Sequence, residues 1–242
     1  MAMRKATRKR KRRMRTDYHC HVLPEIDDGA KNTDISVQML GILRSQGVER
    51  VIATPHFYAH KEKSVANFLD KRQRAYDKLM VCPNPCDELI LGAEIAIEHG
   101  IGELDGIERL AITGTDLILL ELPYGPYDEW MSEEIYNISC EYHLKPVIAH
   151  IHRYINYYSR SEMENILKTD AIFQINNEVF GSIREKRMFR SMIKEGLSVV
   201  FGSDSHNLYR RRPNFDILAK KKISGIVENS DNIFDKYRRN SL

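Results

Sequence analysis

The chain has 242 residues, of which 42% are hydrophobic and 29% are charged, with a formal net charge of +3. This length and balance are typical of one globular domain whose core is large enough to need no disulfides. No apolar run approaches the roughly 20 residues of a membrane-spanning helix, and no apolar segment follows the basic N-terminus as in a signal peptide. The composition excludes a membrane-spanning protein and predicts a soluble, cytoplasmic one.

The positive charge is concentrated at the N-terminus. Residues 4–15 carry nine Lys and Arg and no acid, so the rest of the chain has a net charge of −6. Such a block is typical of a solvated, disordered arm. Attraction to an anionic membrane surface is the leading functional alternative. We predict a disordered basic arm over residues 1–15 and a folded domain over residues 16–242, whose acidic character argues against nucleic-acid binding.

Seven short apolar segments alternate with helical segments. The predicted strands are Thr16–His21, Arg50–Thr54, Leu89–Glu94, Asp116–Glu121, Pro146–His150, Ile172–Asn176 and Leu197–Phe201. Helices are predicted from Asn32 or Thr33 to Gly47, over 65–80, 132–142, 161–168 and 183–195, and beyond 213. This alternation indicates an α/β fold with a parallel sheet covered on its outer face. Seven units favour a (β/α) barrel, with an open doubly wound sheet as the alternative.

Histidines and carboxylates stand where these strands end. His19 and His21 point to the same face because side chains alternate along a strand. The other candidates are His56, Glu94, Glu121, His150, Asp204 and His206, with Asp27 or Asp28 in the loop after the first strand. The carboxyl ends of all strands of a parallel barrel open onto one face. We therefore predict one metal site on that face.

The number and type of these ligands indicate more than one ion. Imidazole and carboxylate suit zinc, manganese or iron, and eight or nine ligands suit two or three ions, with Glu94 as the candidate bridge. Such clusters hold a phosphate group and activate water. Arg153, three residues after His150, has a planar fork that can hold two phosphate oxygens. The pattern predicts a phosphoester hydrolase.

A set of motifs in the same order resembles a known family. The motifs are Tyr18–His21, Leu23–Gly29, Ala53–His56, Gly92–Glu94, Val147–His150 followed by Arg153-Tyr154, and Ser203–Asn207. Together they are similar to the PHP-type protein-tyrosine phosphatases linked to capsule and exopolysaccharide synthesis in Gram-positive and related bacteria. The likeness extends from Thr16 nearly to the C-terminus.

The resemblance implies a distorted, TIM-like barrel of seven strands with a three-ion site that usually holds Mn²⁺, while Fe and Zn stay open. The implied ligands are His19, His21, Glu94 and Asp204 for the first ion, Glu94, Glu121 and His150 for the second, and Asp28, His56 and His206 for the third, with Asp27 as a substitute for Asp28. Arg153 matches the family's phosphate-binding arginine, and we expect it to act in catalysis with His56 and His206. The implied reaction is hydrolysis of phosphotyrosine without a phosphocysteine intermediate.

The implied partner is a phosphorylated bacterial tyrosine kinase with a tyrosine-rich tail, which controls polysaccharide assembly. Membrane-peripheral placement through the basic arm and a homo-oligomer are compatible with the family. Two residues depart from its pattern: His152 replaces a usual Glu that could anchor Arg153, and Glu25 replaces a usual Gly near the metal face.

Two alternatives remain open from the residues. One is a histidinol-phosphate or other small-molecule phosphatase on the same barrel; those relatives typically have a histidine where this chain has Asp27-Asp28, which favours the tyrosine phosphatase. The other is a non-catalytic regulatory or nucleic-acid-binding protein, suggested by the basic arm.

Overall fold

A computed structural model describes residues 14–83 and 86–239 of the chain. Residues 1–13 of the predicted basic arm therefore lie outside the described residues. Arg15, the last residue of that segment, donates from Nε to Asp231 Oδ2 at 3.0 Å. None of the helices in the described ranges is long and apolar enough to cross a bilayer.

Strands and helices alternate along the described residues. The strands are β1 (Thr16–Cys20), β2 (Arg50–Ala53), β3 (His56–Phe57), β4 (Glu88–Leu91), β5 (Glu94–Ala96), β6 (Leu117–Glu121), β7 (Lys145–Ile148), β8 (Ile172–Asn176) and β9 (Val199–Gly202). The α-helices are α1 (Thr33–Ser45), α2 (Val65–Met80), α3 (Glu129–Glu141), α4 (Arg160–Leu167), α5 (Ile183–Lys194), α6 (Asp216–Ala219) and α7 (Ser224–Lys236). Short 3₁₀ helices cover Ile101–Glu103, Ile107–Leu110, Ile151–Asn156 and Asn177–Gly181.

The strands form two parallel sheets. One has the order β1-β2-β4 and the other the order β3-β5-β6-β7-β8-β9. The two sheets meet where β1 and the residue after it lie beside the segment that follows β9. There His21 N donates to Ser205 O at 2.9 Å, and Asp204 N donates to His19 O at 2.7 Å. The α/β class and the parallel direction of the strands agree with the prediction.

The structure does not confirm the details of the predicted seven-stranded barrel. The predicted third strand is two strands, β4 and β5, separated by Gly92 and Ala93, and His56 starts the additional short strand β3. Among the described residues no single closed barrel forms. The chain changes sheets at Pro55, which has no N–H to donate to a ladder, and at Gly92, where a Cβ atom would lie 3.3 Å from the side chain of Ile112.

Helices α1 to α5 begin at polar caps, and α1 uses Asn32, one of its two predicted cap residues. Asn32 accepts a hydrogen bond from Ile35 N at 3.0 Å, which satisfies a backbone donor at the start of α1. Ser64 does the same for Asn67 N at the start of α2. Gly47 follows α1 with φ of 88°, a conformation that glycine adopts without steric cost. Predicted and observed ends of the helices over 65–80 and 183–195 agree within one residue.

The core consists of two apolar clusters, which leave only one end of the strands open. The larger cluster lies between the sheets and the helices, and the smaller one joins strand residues of both sheets, among them Ile52, Leu119 and Val200. Helix α7 covers the smaller cluster with Phe234, whose backbone N–H donates to Tyr18 Oη at 2.6 Å. One end of the strands is thus closed by α7, and the carboxyl ends are left for the site.

Candidate metal centre

The structure brings all nine predicted ligand residues into one connected cluster. Four overlapping groups place one ligand atom from each member within 4.8 Å of the others: His21, Asp28, His56 and His206; His19, His21 and Asp204; His19, Glu94 and His150; and His56, Glu94 and Glu121. The groups share His19, His21, His56 and Glu94, so they form a single centre. Parallel strands deliver these side chains together because their carboxyl ends meet on one side of the sheets.

Glu94 lies in the middle of the cluster. Its Oε2 atom lies 3.0 Å from His19 Nε2, 3.1 Å from His21 Nε2 and 3.1 Å from His56 Nδ1. Its Oε1 atom lies 2.8 Å from His150 Nε2. Despite these neighbours, the buried Oε2 atom has no hydrogen-bond partner among the described residues. A buried carboxylate oxygen that lies among ring nitrogens but accepts no hydrogen bond would be satisfied by a cation that it shares with those nitrogens.

Hydrogen bonds at Nδ1 fix the orientation of two rings. The His19 Nδ1–H donates to Gln174 Oε1 at 3.0 Å, and the His21 Nδ1–H donates to Asp27 Oδ2 at 2.7 Å. When both rings are neutral, their two Nε2 atoms carry lone pairs, yet these atoms lie 3.1 Å apart. Two lone pairs at this distance repel unless a cation lies between them, so both rings fit a metal ion.

His206 has the same arrangement on the open side of the centre. Its Nδ1–H donates to the backbone oxygen of Asp204 at 3.1 Å, and its buried Nε2 atom has no hydrogen-bond partner within the described ranges. That Nε2 atom lies 3.4 Å from Asp28 Oδ1, which is also 3.5 Å from His56 Nε2. The unpartnered nitrogen therefore faces a carboxylate and a second imidazole, a fitting donor set for one ion.

Asp27 and Asp28 have different positions. Asp27 holds His21 and also accepts hydrogen bonds from His56 N at 3.0 Å and Gly29 N at 2.9 Å. Asp28, whose side chain is 65% exposed, belongs to the group with His56 and His206. The structure thus places Asp28 among the candidate ligands and Asp27 behind His21, where it orients the ring.

The charges at the centre favour a bound cation. Burial and the nearby charge of Glu94 raise the pKa of Glu121 to about 8. Burial lowers the pKa of His56 and of His150 to about 4, so both rings are neutral near pH 7. Burial opposes the ionisation of Glu94, but His19 and His150 hold its pKa well below the usual range. Burial is outweighed by hydrogen bonds to Asp27 and Glu94, which raise the pKa of His21 to about 10, so a metal ion bound there would displace a proton from that ring.

Backbone strain accompanies two of the candidate ligands. Asp204 has φ of 50° and His150 has φ of 27°, values that non-glycine residues rarely adopt. Asp204 is held by Asn176 Nδ2 at 3.0 Å and by Arg211 Nη2 at 2.6 Å. The backbone N–H of His150 donates to Gln174 Oε1 at 2.7 Å. These bonds keep both side chains in the orientation that the cluster requires.

Arg153 lies at the edge of the cluster between two carboxylates. Its Nη2 atom lies 2.8 Å from Asp204 Oδ2 and donates to Glu178 Oε1 at 2.9 Å. His152, which replaces the family's usual Glu, is buried, with its Nε2 atom 3.9 Å from the same Glu178 oxygen. His152 and Arg153 lower the pKa of Glu178 to about 2. Glu178 thus supplies the anchoring carboxylate that His152 does not.

The second departure from the family pattern has no contact with the cluster. Glu25 has φ of 60°, and its exposed carboxylate accepts a hydrogen bond from Lys78 Nζ of α2 at 2.8 Å. The side chain is turned away from the candidate ligands and towards the helix.

Several supporting residues were not predicted. Gln174 and Asn176 lie in β8, the strand to which no ligand was assigned, and they orient His19, His150 and Asp204. Polar residues within a buried strand, as in Ile172–Asn176, were a usable signal. Arg211 had no such signal, because it is one of three consecutive arginines, and Glu178 had none, because a single carboxylate in the 3₁₀ helix Asn177–Gly181 does not reveal its partner.

The fold and the cluster define an α/β protein with a candidate multinuclear metal centre at the carboxyl ends of parallel strands. The family model for capsular polysaccharide synthesis proteins, CpsB/CapC, matches residues 15–230. The chain belongs to the CpsB/CapC family, which agrees with the resemblance given by the motifs.

Named relatives and a solved structure are similar over most of the chain. The chain is 29% identical to tyrosine-protein phosphatase YwqE of Bacillus subtilis over 210 residues, 81% of this chain and 78% of that protein. It is 26% identical to tyrosine-protein phosphatase CpsB of Streptococcus pneumoniae over 226 residues, 85% of this chain and 90% of that protein. A crystal structure from work on YwqE and CpsB, described there as metal-dependent tyrosine phosphatases, matches with a TM-score of 0.73 and 24% identity, over 93% of this chain and 96% of that one. This structural match supports the fold.

Proposed function

We propose that this protein is a metal-dependent protein-tyrosine phosphatase that hydrolyses phosphotyrosine. The observation that carries the proposal is Glu94 Oε2, buried among three ring nitrogens without a hydrogen-bond partner in the described chain. The names of YwqE and CpsB support the choice of phosphotyrosine over other phosphoesters.

The nine ligand residues suit three ions. His19, His21, Glu94 and Asp204 would hold the first, Glu94, Glu121 and His150 the second, and Asp28, His56 and His206 the third. We propose Mn²⁺ as the metal, with Fe and Zn as alternatives, because imidazole and carboxylate suit all three. The ions would act as Lewis acids on the phosphoryl group and lower the pKa of water. The finer description of the fold as a distorted barrel of the PHP type, with seven β/α units, belongs to the same proposal.

Arg153 is the proposed phosphate-binding residue. Its side chain is 28% exposed, so its guanidinium can contact a ligand while Glu178 and Asp204 hold it. A planar cation in this position would neutralise charge on the phosphoryl oxygens. His56 and His206 line the open side of the same centre, where they would orient the substrate.

Cys20 is not suited to act as a nucleophile. The residue lies between His19 and His21 but points to the other face, where it is fully buried in the larger apolar cluster. Burial raises the pKa of its thiol well above the usual range. A buried neutral thiol does not attack phosphate, which supports hydrolysis without a phosphocysteine intermediate.

Removal of metal tests the proposed function. Dialysis against a chelator is expected to abolish hydrolysis of a phosphotyrosine peptide, and added Mn²⁺ is expected to restore it, whereas thiol alkylation is expected to leave the rate unchanged. Initial rates with phosphotyrosine peptide and with histidinol phosphate are compared on the same preparation. Activity that persists without metal, or faster hydrolysis of histidinol phosphate, would contradict the proposal.

A second prediction concerns the anchor of Arg153. Glu178→Gln is expected to raise the KM for a phosphotyrosine peptide about threefold with little change in kcat, because a partly exposed ion pair contributes up to about 1 kcal/mol. Adding His152→Glu is expected to restore KM, since a carboxylate at position 152 can replace the anchor. Glu164→Gln, which affects the exposed pair with Arg160, is the control. An unchanged KM in Glu178→Gln would exclude the anchoring role.

The proposed substrate protein is the tyrosine-rich tail of a bacterial tyrosine kinase in capsule or exopolysaccharide synthesis. The CpsB/CapC family assignment supports this biological setting. We also propose a cytoplasmic location, with contact to anionic membrane through the basic segment of residues 1–15. Loss of vesicle binding on removal of that segment would support the membrane contact, and unchanged binding would exclude it.

A further inference from the structure

Two cavities flank the exposed edge of the metal centre. The first, of about 320 Å³, is lined by Gly29 and His206 on its inner side and by Lys31 and Arg210 further out. The second, also of about 320 Å³, is lined by His56, Tyr58 and Lys61 together with three carboxylates, those of Asp27, Asp28 and Glu62. The loop over residues 27–29 separates them. A chain with its phosphoryl group at the centre would therefore have a cavity on either side.

The first cavity is positively charged. Lys31 and Arg210 are both exposed, and neither forms an ion pair with any residue that the structure describes. No carboxylate is among the described residues that line this cavity. Two unpaired cations at one cavity favour an anionic ligand.

The cavity also has an apolar side. Ile35 of α1, Leu208 and Tyr209 contribute to its lining, and the Tyr209 side chain is 82% exposed. A large aromatic side chain presented to solvent beside a candidate active site is typical of a surface that binds another molecule. Free phosphotyrosine would reach the metal centre without contacting these side chains, whereas a longer chain would cover them.

Three consecutive arginines have separate positions. Arg211 points inward and donates to Asp204 Oδ1 at 2.6 Å, while Arg210 lines the cavity and Arg212 is exposed outside it. The loop thus directs Arg211 to the metal centre and Arg210 to the cavity. Arg212 offers a control with the same charge two residues away from the Arg210 position.

We propose that the Lys31–Arg210 cavity binds acidic residues that flank the phosphotyrosine of a peptide substrate. The proposal rests on the proposed function, and it specifies the substrate class as an acidic phosphotyrosine segment in extended conformation. Glutamate or aspartate side chains would pair with Lys31 and Arg210, and the peptide backbone would cover Tyr209 and Leu208. Attraction between these exposed charges would weaken with added salt.

The test compares two peptides on the full chain loaded with Mn²⁺. One carries glutamates on both sides of a phosphotyrosine, and the other carries glutamines at the same positions. The acidic peptide is expected to have a kcat/KM roughly fivefold higher at low salt, because two exposed ion pairs contribute together about 1 kcal/mol. The Lys31→Glu/Arg210→Glu variant is expected to reverse that preference, and Arg212→Glu is expected to retain it.

The outcomes separate this inference from the proposed function. Equal hydrolysis of both peptides by the natural chain, or equal loss of preference in Arg212→Glu, would overturn the inference while leaving a tyrosine phosphatase. Failure to hydrolyse any phosphotyrosine peptide would overturn the proposed function itself. Competition by anionic vesicles that depends on Lys31 and Arg210 would assign the cavity to a membrane surface instead and would also overturn the inference.

Discussion

Glu94→Gln is expected to remove most of the bound metal and to lower kcat for a phosphotyrosine peptide by roughly a thousandfold. Glu94 contacts His19, His21 and His56 through one oxygen and His150 through the other. The amide keeps the shape but removes the negative charge that at least two ions would share. Loss of this charge corresponds to about 4 kcal/mol of transition-state stabilisation, the scale of a metal-ion contribution.

Metal content by mass spectrometry and initial rates measured on the same samples test this prediction. Glu98→Gln is the matched control, because Glu98 lies four residues away and pairs with the exposed His60 at 2.9 Å. The control is expected to keep its metal and its rate. A Glu94→Gln protein with full metal content and a natural rate would show that Glu94 does not bridge ions.

Arg153→Ala is expected to lower kcat/KM for the same peptide by roughly a hundredfold while the metal content stays near its natural value. The guanidinium is positioned by Glu178 and Asp204, and a pair of charge-assisted hydrogen bonds to phosphate contributes about 2–3 kcal/mol. Arg153→Lys is expected to recover only part of the loss, since an ammonium group lacks the planar fork.

This second test requires kcat/KM and metal content to be measured on the same sample, because the prediction is a loss of the first without a loss of the second. Arg160→Ala is the control, because Arg160 is 93% exposed and pairs with Glu164 within α4. If Arg153→Ala lost metal as completely as Glu94→Gln, the arginine would act by holding Asp204 and not by binding phosphate. Unchanged kcat/KM would exclude both roles.

The composition of the cluster was predictable because each candidate stands where an apolar segment stops. His19, Glu94 and Asp204 are far apart in the chain, yet the carboxyl ends of parallel strands have to meet. The pattern therefore predicted nine residues that the structure brings together, and it identified Glu94 as the central one. The start of α1 at Asn32 or Thr33 followed from local capping chemistry in the same way.

The number of strands was less predictable because it depends on hydrogen bonds between distant segments. Leu89–Glu94 is continuous in its apolar character, but the backbone changes sheets after Leu91. A pattern of apolar residues reports burial and does not report which neighbour each backbone group contacts. Seven apolar segments thus became nine strands in two sheets.

By itself, the sequence determined the α/β class, the parallel strands and the set of candidate ligands, because these follow from periodicity and from residue chemistry at strand ends. Only the tertiary structure gave Asp27 and Asp28 different neighbours, although they are adjacent in the chain: His21 Nδ1 lies opposite Asp27, and His56 with His206 lies opposite Asp28. It also decided that Glu178 anchors Arg153 and that Lys31 and Arg210 share a cavity. Such pairings depend on contacts between residues remote in sequence, which no local pattern contains.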